Sequence, residues 1–231
     1  MKTIGLIGGM SWESSDVYYQ ILNRKIKSAL GGVHSCKCLM YSVDFGEIAT
    51  LQHQGDWEKL AQMMIDAAVR LERGGADFIV LCTNTMHKLA PQIEANISIP
   101  FLHIADATAL EIKKHGMKKV GLLGTKFTME QDFLKGRFLE KHHIETLIPN
   151  QTDRDIVHTI IYDELVKGIV TEKSRAAYLE IIEKLAADGA EGIILGCTEI
   201  GLLITPQHTD IQLFDTTLLH AEQAVLMALE E

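Results

Sequence analysis

A cysteine and a threonine occupy matching positions in two stretches of this sequence that resemble each other. GADFIVLCTNT begins at residue 75 and GAEGIILGCTE begins at residue 189, an offset of 114. In this alignment Thr83 pairs with Cys197, whereas Cys82 pairs with a glycine. Because successive side chains of a strand point to opposite faces, Cys82 and Thr83 cannot both face the same site. We therefore expect Thr83 to be the counterpart of Cys197, and Cys82 to end a buried strand facing the core.

Cys197 has surroundings that suit a reactive thiol. It follows an apolar strand and precedes a helix predicted over 198–203, where free amides and the helix dipole stabilise a thiolate. These effects predict a lowered pKa for the thiol. The alternative is a small buried cysteine that fills the core. The polar counterpart Thr83 in the other repeat favours the functional interpretation.

Polar residues follow both positions and could bind a charged small molecule. Asn84, Thr85 and Thr198, with the free backbone amides around them, suit an anionic carboxylate. Glu199 suits an ammonium group. The same residue types also cap the N-termini of helices well, and the two roles can hold at once.

A glycine-containing turn follows the first strand of each repeat. GLIGGMSWESS at 5–15 has glycines spaced G-x-x-G-G, which differs from the G-x-G-x-x-G of dinucleotide-binding proteins. The matching segment GLLGTKFTME at 121–130 has no glycine run of that kind either. We interpret both turns as ligand-lining, with Met10 and Thr125 near the substrate.

Other catalytic and metal-binding patterns find less support. HSCKC offers His34, Cys36 and Cys38, but a lone C-x-C lacks the second ligand pair of a structural zinc site, so we expect ordinary strand residues and no metal. No G-x-S-x-G motif is present, which disfavours a serine hydrolase. His87 is expected on a helix face near the ligand-binding end of the strands.

Composition excludes some classes of partner. The net charge of −9 and the absence of a Lys/Arg cluster argue against nucleic acid or an anionic membrane. The opening MKTIGLIGGM is expected to be the first strand rather than a signal peptide, and no stretch approaches the roughly 20 apolar residues of a membrane span. We therefore expect a cytoplasmic protein whose four cysteines are reduced.

Apolar runs alternate with segments of helical period along the whole chain. Strands are predicted at 2–8, 37–44, 77–82, 100–104, 118–124, 144–148, 191–196 and 211–214. Helices are predicted at 14–30, 56–73, 86–96, 105–115, 128–141, 153–168, 171–187, 198–203 and 216–229. Apolar strands separated by helices indicate parallel sheets that are covered on both faces.

A second pair of similar segments supports a duplication. KTIGLIGG at 2–9 matches KKVGLLGT at 118–125, an offset of 116. We therefore predict an α/β fold of two similar parallel-sheet domains related by a pseudo-twofold, with the active site in the cleft between them, at the carboxyl ends of the strands. The predicted domains are residues 1–98 plus 215–231, and residues 99–214.

The sequence resembles the aspartate/glutamate racemase family, which needs no cofactor. The motifs that carry the resemblance are IGLIGGMSW, NTMH, GLLGT and GCTEI, in this order over essentially the whole chain. The resemblance implies two similar α/β domains with the substrate between them, and a C-terminal segment that returns to pack on the first domain. It also implies that the protein is a homodimer. The substrate that it implies is a small amino acid, aspartate or glutamate.

The resemblance also assigns residues. In the family one cysteine from each of two motifs, C-N-T-x-H and G-C-T-E, works on each face of the amino acid's α-carbon. Here the second motif supplies Cys197, while Thr83 stands where the first cysteine normally does. This pattern resembles a bacterial branch specific for L-aspartate and L-glutamate. Gln52 and Lys167 match positions that bind substrate carboxylates, and Met10 matches the first glycine-rich turn.

Two other functions stay open at this point. One is a decarboxylase or cis–trans isomerase of the same broad superfamily, acting on a small dicarboxylate. The other is a non-catalytic amino-acid-binding protein, since loss of one of two catalytic thiols is a route from enzyme to sensor. Retention of Cys197, Thr198 and Glu199 argues against the second.

Overall fold

The computed structural model describes residues 1–230, in which strands and helices alternate. The strands are β1 (Ile4–Gly8), β2 (Cys38–Ser42), β3 (Phe78–Leu81), β4 (Phe101–Leu102), β5 (Lys119–Leu123), β6 (Glu145–Leu147), β7 (Gly192–Leu195) and β8 (Gln212–Asp215). The α-helices are α1 (Trp12–Leu30), α2 (Phe45–Gln54), α3 (Trp57–Arg73), α4 (Ala90–Glu94), α5 (Ile104–Lys114), α6 (Lys126–Glu130), α7 (Asp132–His142), α8 (Gln151–Asp163), α9 (Glu172–Ala187), α10 (Ile200–Leu203) and α11 (Thr216–Leu229). Two 3-10 helices, Thr85–Leu89 and Leu165–Lys167, precede α4 and follow α8. Every predicted strand is present.

The strands form two four-stranded sheets with the same order. One sheet has the order β2-β1-β3-β4 and the other β6-β5-β7-β8, and every pairing is parallel. In each sheet the first strand in sequence is central, and its neighbours are the second and third strands. This identity of order confirms the predicted α/β fold of two similar parallel-sheet units.

The chain divides into two compact units. The first contains Met1–Ile104 and the residues from His220 onward, and the second contains Ala105–Leu219. The predicted domains, 1–98 plus 215–231 and 99–214, stay a prediction, because a division by contacts does not show what folds independently.

The sheet of the first unit is buried on both faces, as its apolar strands require. Along β3 the side chains alternate: Ile79 and Leu81 pack with α2 and α3, whereas Phe78, Val80 and Cys82 pack with α1 and α11. Cys82 is fully buried, which confirms that it faces the core. In the second unit the cluster around β7 is formed largely by α8 and α9.

Helix α3 shows how the sequence directs these helices. Asp56 precedes it and its side chain accepts a hydrogen bond from the amide of Lys59 at 3.0 Å, which caps the N-terminus. Its buried residues recur at helical spacing: Leu60, Ala61, Met64, Ala67, Ala68 and Leu71. No helix within residues 1–230 combines the length and apolar character needed to cross a bilayer.

Several helices differ from their predictions. Helix α2 was not predicted, because only Ile48 and Leu51 of its ten residues are buried and its apolar stripe is narrow. The segment predicted as one helix over 128–141 is two helices that part at Gln131, whose backbone is extended. The predicted helix over 153–168 starts at Gln151 and becomes a 3-10 turn after Asp163.

Candidate functional site

The turn after β1 is shaped by close contacts of its glycines. Gly9 has a φ of +91°, and a Cβ there would lie 2.2 Å from the carbonyl oxygen of Val43. The amide of Gly9 donates to the Ser15 hydroxyl at 2.8 Å. Met10 follows and is 6% exposed, packed in the core of the first unit. These glycines serve a tight strand-to-helix turn, and the proximity of Met10 to a substrate stays a prediction.

The turn after β3 separates Cys82 from Thr83. The amide of Cys82 donates to the carbonyl of Ile7 at 2.9 Å, which continues the strand pairing by one residue. Burial raises the pKa of the Cys82 thiol, so this cysteine is unsuited to act as a thiolate. Thr83 is partly exposed, whereas Asn84 is 5% exposed. The threonine, not the cysteine, is therefore the more accessible residue of the pair.

A buried histidine holds the backbone of Thr83. His87 Nδ1 lies 2.7 Å from the carbonyl oxygen of Thr83, and His87 Nε2 lies 3.1 Å from the amide nitrogen of Ile104. Because an amide can only donate, Nε2 accepts, so Nδ1 carries the hydrogen and donates to the Thr83 carbonyl. His87 is 1% exposed. The sequence suggested only a helix-face role; the four-residue spacing from Thr83 was the available signal.

Gln52 lies beside the same turn. Its Nε2 is 3.3 Å from the sulfur of Met86, a fully buried residue of the 3-10 helix. Thus α2, the helix that the sequence did not predict, brings Gln52 next to the segment that contains Thr83 and Thr85. The structure groups these residues of the first unit, while their contact with a ligand stays a prediction.

In the second unit the ends of β5 and β7 approach closely. The amide of Gly196 donates to the carbonyl of Leu123 at 2.6 Å, and a Cβ at Gly196 would lie 2.8 Å from that oxygen. A Cβ at Gly124 would lie 3.0 Å from the carbonyl oxygen of Gly196. Thr125 follows, is 7% exposed, and caps α6 by accepting from the amide of Thr128. This close approach places Thr125 and Cys197 on adjacent turns.

Cys197 is paired with a carboxylate. Its thiol donates to Glu199 Oε2, with 2.9 Å between sulfur and oxygen. Burial, followed by the negative charge of Glu199 and this hydrogen bond, raises the pKa of Cys197 well above its usual value. The prediction of a lowered pKa is therefore wrong for this structure, in which Cys197 is a thiol.

The expected helix dipole is also weak here. Helix α10 begins at Ile200 and has only four residues, so Cys197 does not stand at the end of a long helix. The amides of Glu199 and Thr198 do lower the pKa of Cys197, but less than burial and the carboxylate raise it. Tyr162 shares these surroundings: burial and the charges of Cys197 and Glu199 raise its pKa. The sequence did not nominate Tyr162, since nothing in its local pattern distinguishes it.

Lys167 lies at the end of the 3-10 turn after α8. Its side chain is 58% exposed, and its Nζ lies 4.0 Å from Asp163. Gly168 follows with a φ of +71° and ends the turn. An exposed lysine with a long, weak ion pair is available for a ligand, and its role stays a prediction. Within residues 1–230 no group of three or more His, Cys, Asp and Glu side chains could hold a metal ion.

Comparison with known proteins places this geometry in a family. A candidate Asp/Glu racemase from Yersinia pestis has a crystal structure that is 55% identical over all of both chains, with a TM-score of 0.95. An aspartate racemase homologue from Pyrococcus horikoshii OT3 is 35% identical over all of both chains, with a TM-score of 0.88. The broad specificity amino-acid racemase RacX of Bacillus subtilis (strain 168) is 24% identical over 96% of each chain. The model of the Asp/Glu/hydantoin racemase family matches residues 7–224, and this chain belongs to that family.

Proposed function

We propose that the protein is a cofactor-independent racemase of L-aspartate and L-glutamate in which Cys197 abstracts the α-proton and Thr83 acts on the opposite face of the α-carbon. The observation that carries the proposal is the hydrogen bond between the Cys197 thiol and Glu199, at 2.9 Å, in a turn whose counterpart holds Thr83. A thiol whose proton is already directed at a carboxylate has an acceptor for that proton, and the thiolate so formed can act as the base on one face of the α-carbon.

The resting thiol must first become a thiolate. The carboxylate of Glu199 raises the pKa of Cys197, because a negative charge disfavours a second one nearby. A substrate ammonium group bound to Glu199 would offset that charge and so lower the pKa of the thiol. The amides of Thr198 and Glu199 already act in this direction. Substrate binding would in this way favour the thiolate form of Cys197, which then abstracts the α-proton of the substrate.

The substrate carbanion also needs stabilisation. Removal of an α-proton from an amino acid is feasible only in a dry site whose donors are already placed. In our proposal Asn84, Thr85 and Thr198 receive the α-carboxylate, and Gln52 and Lys167 contact the carboxylates as well. Met10 and Thr125, which are buried at the strand ends, line the site.

Thr83 makes the proposed reaction asymmetric. An alcohol has a far higher pKa than a thiol, whose ordinary value is about 8.5, so Thr83 cannot readily abstract a proton. It can donate or relay one to a carbanion. The proposed enzyme therefore exchanges the α-proton of L substrates, which Cys197 removes, much faster than the α-proton of D substrates.

Isotope exchange tests the proposal. Each enantiomer of aspartate and glutamate is incubated with the protein in heavy water, and α-deuterium incorporation is followed with chiral separation. We expect exchange from the L enantiomers to exceed exchange from the D enantiomers at least tenfold, in line with loss of one general base. Equal rates for the two enantiomers would overturn the asymmetric mechanism.

Two cysteine variants form a matched pair in this assay. Cys197→Ala should abolish exchange, whereas Cys82→Ala should retain it, because Cys82 is fully buried in the core. Exchange by Cys197→Ala would remove Cys197 from the mechanism. Thr83→Cys should raise exchange from D substrates by supplying the missing thiol, and an unchanged D rate would contradict the role of Thr83.

The same incubations also report the substrate range and the type of reaction. The Bacillus subtilis relative is named for broad specificity, so the assay extends to a panel of L- and D-amino acids. Release of carbon dioxide or an isomerised dicarboxylate would identify a decarboxylase or isomerase instead. Stereoselective binding without exchange would identify an amino-acid-binding protein.

A further inference from the structure

Cys36 and Cys38 form a second pair of thiols, distant in sequence from the proposed catalytic residues. Cys38 is the first residue of the edge strand β2, and its register partner in β1 is Ile4. Residues two apart in an extended chain point to the same face, and each of the two thiols shifts the pKa of the other. The Cys36 thiol also donates to the carbonyl of Lys37, with 3.6 Å between sulfur and oxygen. Both are partly exposed. The two thiols therefore adjoin each other where solvent can reach them.

Cys38 opens onto a surface groove of about 460 Å³ between α1 and β2. Trp12 and Tyr19 line it from α1, while Met40 follows Cys38 on the same face of the strand. Trp12 is 67% exposed and Tyr19 48% exposed, so the groove is open. A small molecule with an apolar part can approach the Cys38 sulfur through it.

The two thiols are chemically unequal. Interaction with the Cys36 thiol lowers the pKa of Cys38 to about 7, against the opposing effect of burial. The same interaction, with burial, raises the pKa of Cys36. Near neutral pH Cys38 is therefore partly ionised to the nucleophilic thiolate, whereas Cys36 remains a thiol.

We propose that Cys36 and Cys38 are a reversible thiol–disulfide site that reacts with low-molecular-weight disulfides. The Cys38 thiolate attacks one sulfur of a disulfide RSSR, forming a mixed disulfide and releasing RS⁻, which takes up a proton. The Cys36 thiol then loses its proton and attacks the Cys38 sulfur, forming the Cys36–Cys38 bond and releasing the second RSH. Two protein thiols are oxidised and one small disulfide is reduced to two thiols, so electrons and protons balance.

The spacing of Cys36 and Cys38 along the chain indicates that a disulfide between them would be easily reduced. Two residues of extended chain span about 6.6 Å between Cα atoms, near the upper end of the range that disulfides bridge. Cys36 lies outside the strand, and its amide donates to the side-chain oxygen of Asn23 at 3.0 Å rather than to a neighbouring strand. Bonds at the limit of this range reduce readily, as regulatory disulfides do.

Mass spectrometry of the intact protein tests the site, with oxidised glutathione as the probe. The wild type should lose two hydrogen atoms in mass, and peptide mapping should place the bond between Cys36 and Cys38. Cys36→Ser should instead accumulate glutathione on Cys38, because the serine keeps a hydrogen-bond donor but cannot resolve the mixed disulfide. Dithiothreitol should reverse both products. Stable glutathione on wild-type Cys38, or no reaction at either residue, would overturn the proposal.

Alkylation rates separate the roles of the two thiols. At pH 7 iodoacetamide should modify Cys38 roughly tenfold faster than Cys36, given the difference in thiolate fraction. Cys36→Ala removes the donor and should slow modification of Cys38 roughly tenfold, whereas Cys36→Ser should not. Equal rates for the two residues in the wild type would contradict the assignment. Neither result depends on racemase activity.

Discussion

At the scale of single residues, the pairing of Cys197 with Glu199 is the feature with the greatest consequence. The carboxylate accepts the thiol's hydrogen bond at 2.9 Å and raises its pKa, so the resting protein holds a thiol. A permanently ionised thiol would be open to oxidation and alkylation when no substrate is bound. A thiol that ionises only when the positively charged ammonium group of the substrate is bound would avoid both reactions.

Substitution of Glu199 should change the titration of Cys197. In Glu199→Gln the negative charge is removed, so we expect the pKa of Cys197 to fall and its alkylation to begin at lower pH. The measurement is the pH profile of iodoacetamide modification of Cys197, resolved by peptide mass spectrometry. Glu140→Gln, at an exposed position of α7, is the matched control and should leave the profile unchanged. A profile that does not move in Glu199→Gln would contradict the electrostatic role of Glu199.

At the scale of elements, the turns at the strand ends depend on contacts that only glycine permits. Gly9 combines a φ of +91° with a carbonyl 2.2 Å from the position of a Cβ. Gly55, which ends α2, has a φ of +73° but no atom within 4 Å of that position. The two glycines therefore separate the effect of crowding from the effect of backbone conformation.

These glycines give a matched pair of substitutions. Gly55→Ala should lower the free energy of unfolding by about 1 kcal/mol, the usual effect of a left-handed conformation. Gly9→Ala should lower it by roughly 3 kcal/mol or more, because the Val43 backbone must also move. Urea unfolding of both variants measures the difference. Equal losses would show that the contact with Val43 does not constrain the turn.

A partly buried carboxylate ties α5 to α7. Asp106 accepts two hydrogen bonds from the Arg137 guanidinium, at 2.8 and 2.7 Å, one from Lys141 at 2.7 Å and one from His142 at 2.7 Å. Burial raises the pKa of Asp106, but these bonds outweigh it and hold the pKa far below its usual range. Because the folded-state pKa is depressed, the stabilisation is complete above the unfolded-state pKa of about 4 and is lost as pH falls below it.

Removal of this carboxylate should give a pH-dependent loss of stability. Asp106→Asn should lower the free energy of unfolding by about 2 kcal/mol at neutral pH, since it removes the negative charge that pairs with the three basic side chains and replaces one acceptor oxygen by a donor. The difference from wild type should shrink as pH falls below about 4. Urea unfolding at several pH values measures it, with Asp163→Asn, whose side chain is 70% exposed, as the control. A difference that does not depend on pH would argue against the ion pairs as its source.

At the scale of the whole molecule, the last helix completes the core of the first unit. Helix α11 starts in the second unit, and its residues Ala221, Ala224, Val225 and Ala228 are buried against the first sheet with α1. The amide of Lys2 donates to the carbonyl of Ala228 at 2.8 Å. In this structure the C-terminal helix therefore packs with the first unit. The first unit cannot bury its sheet without residues from the far end of the chain.

Two substitutions on α11 test this dependence. Ala224 is fully buried and Leu226, two residues later, is 55% exposed. Ala224→Asp should lower the free energy of unfolding by more than about 3 kcal/mol, because it buries a charge without a partner. Leu226→Asp adds the same charge to the same helix and should change stability by about 0.5 kcal/mol or less. Thermal unfolding distinguishes them, and similar losses would mean that α11 contributes through its surface rather than through the core.

The sequence by itself determined the strands, the duplicated parallel-sheet unit and the pairing of Thr83 with Cys197, because buried apolar runs mark the strands and the two copies keep nearly the same spacing between strands and turns. Only the tertiary structure decided how the site residues are held. Helix α2 positions Gln52, His87 donates to the Thr83 carbonyl, and Glu199 accepts from the Cys197 thiol. These contacts depend on packing between elements and on the conformation of turns. Neither feature produces a periodic pattern in the sequence. The pKa of Cys197 therefore could not be predicted correctly, because burial and the Glu199 carboxylate determine it.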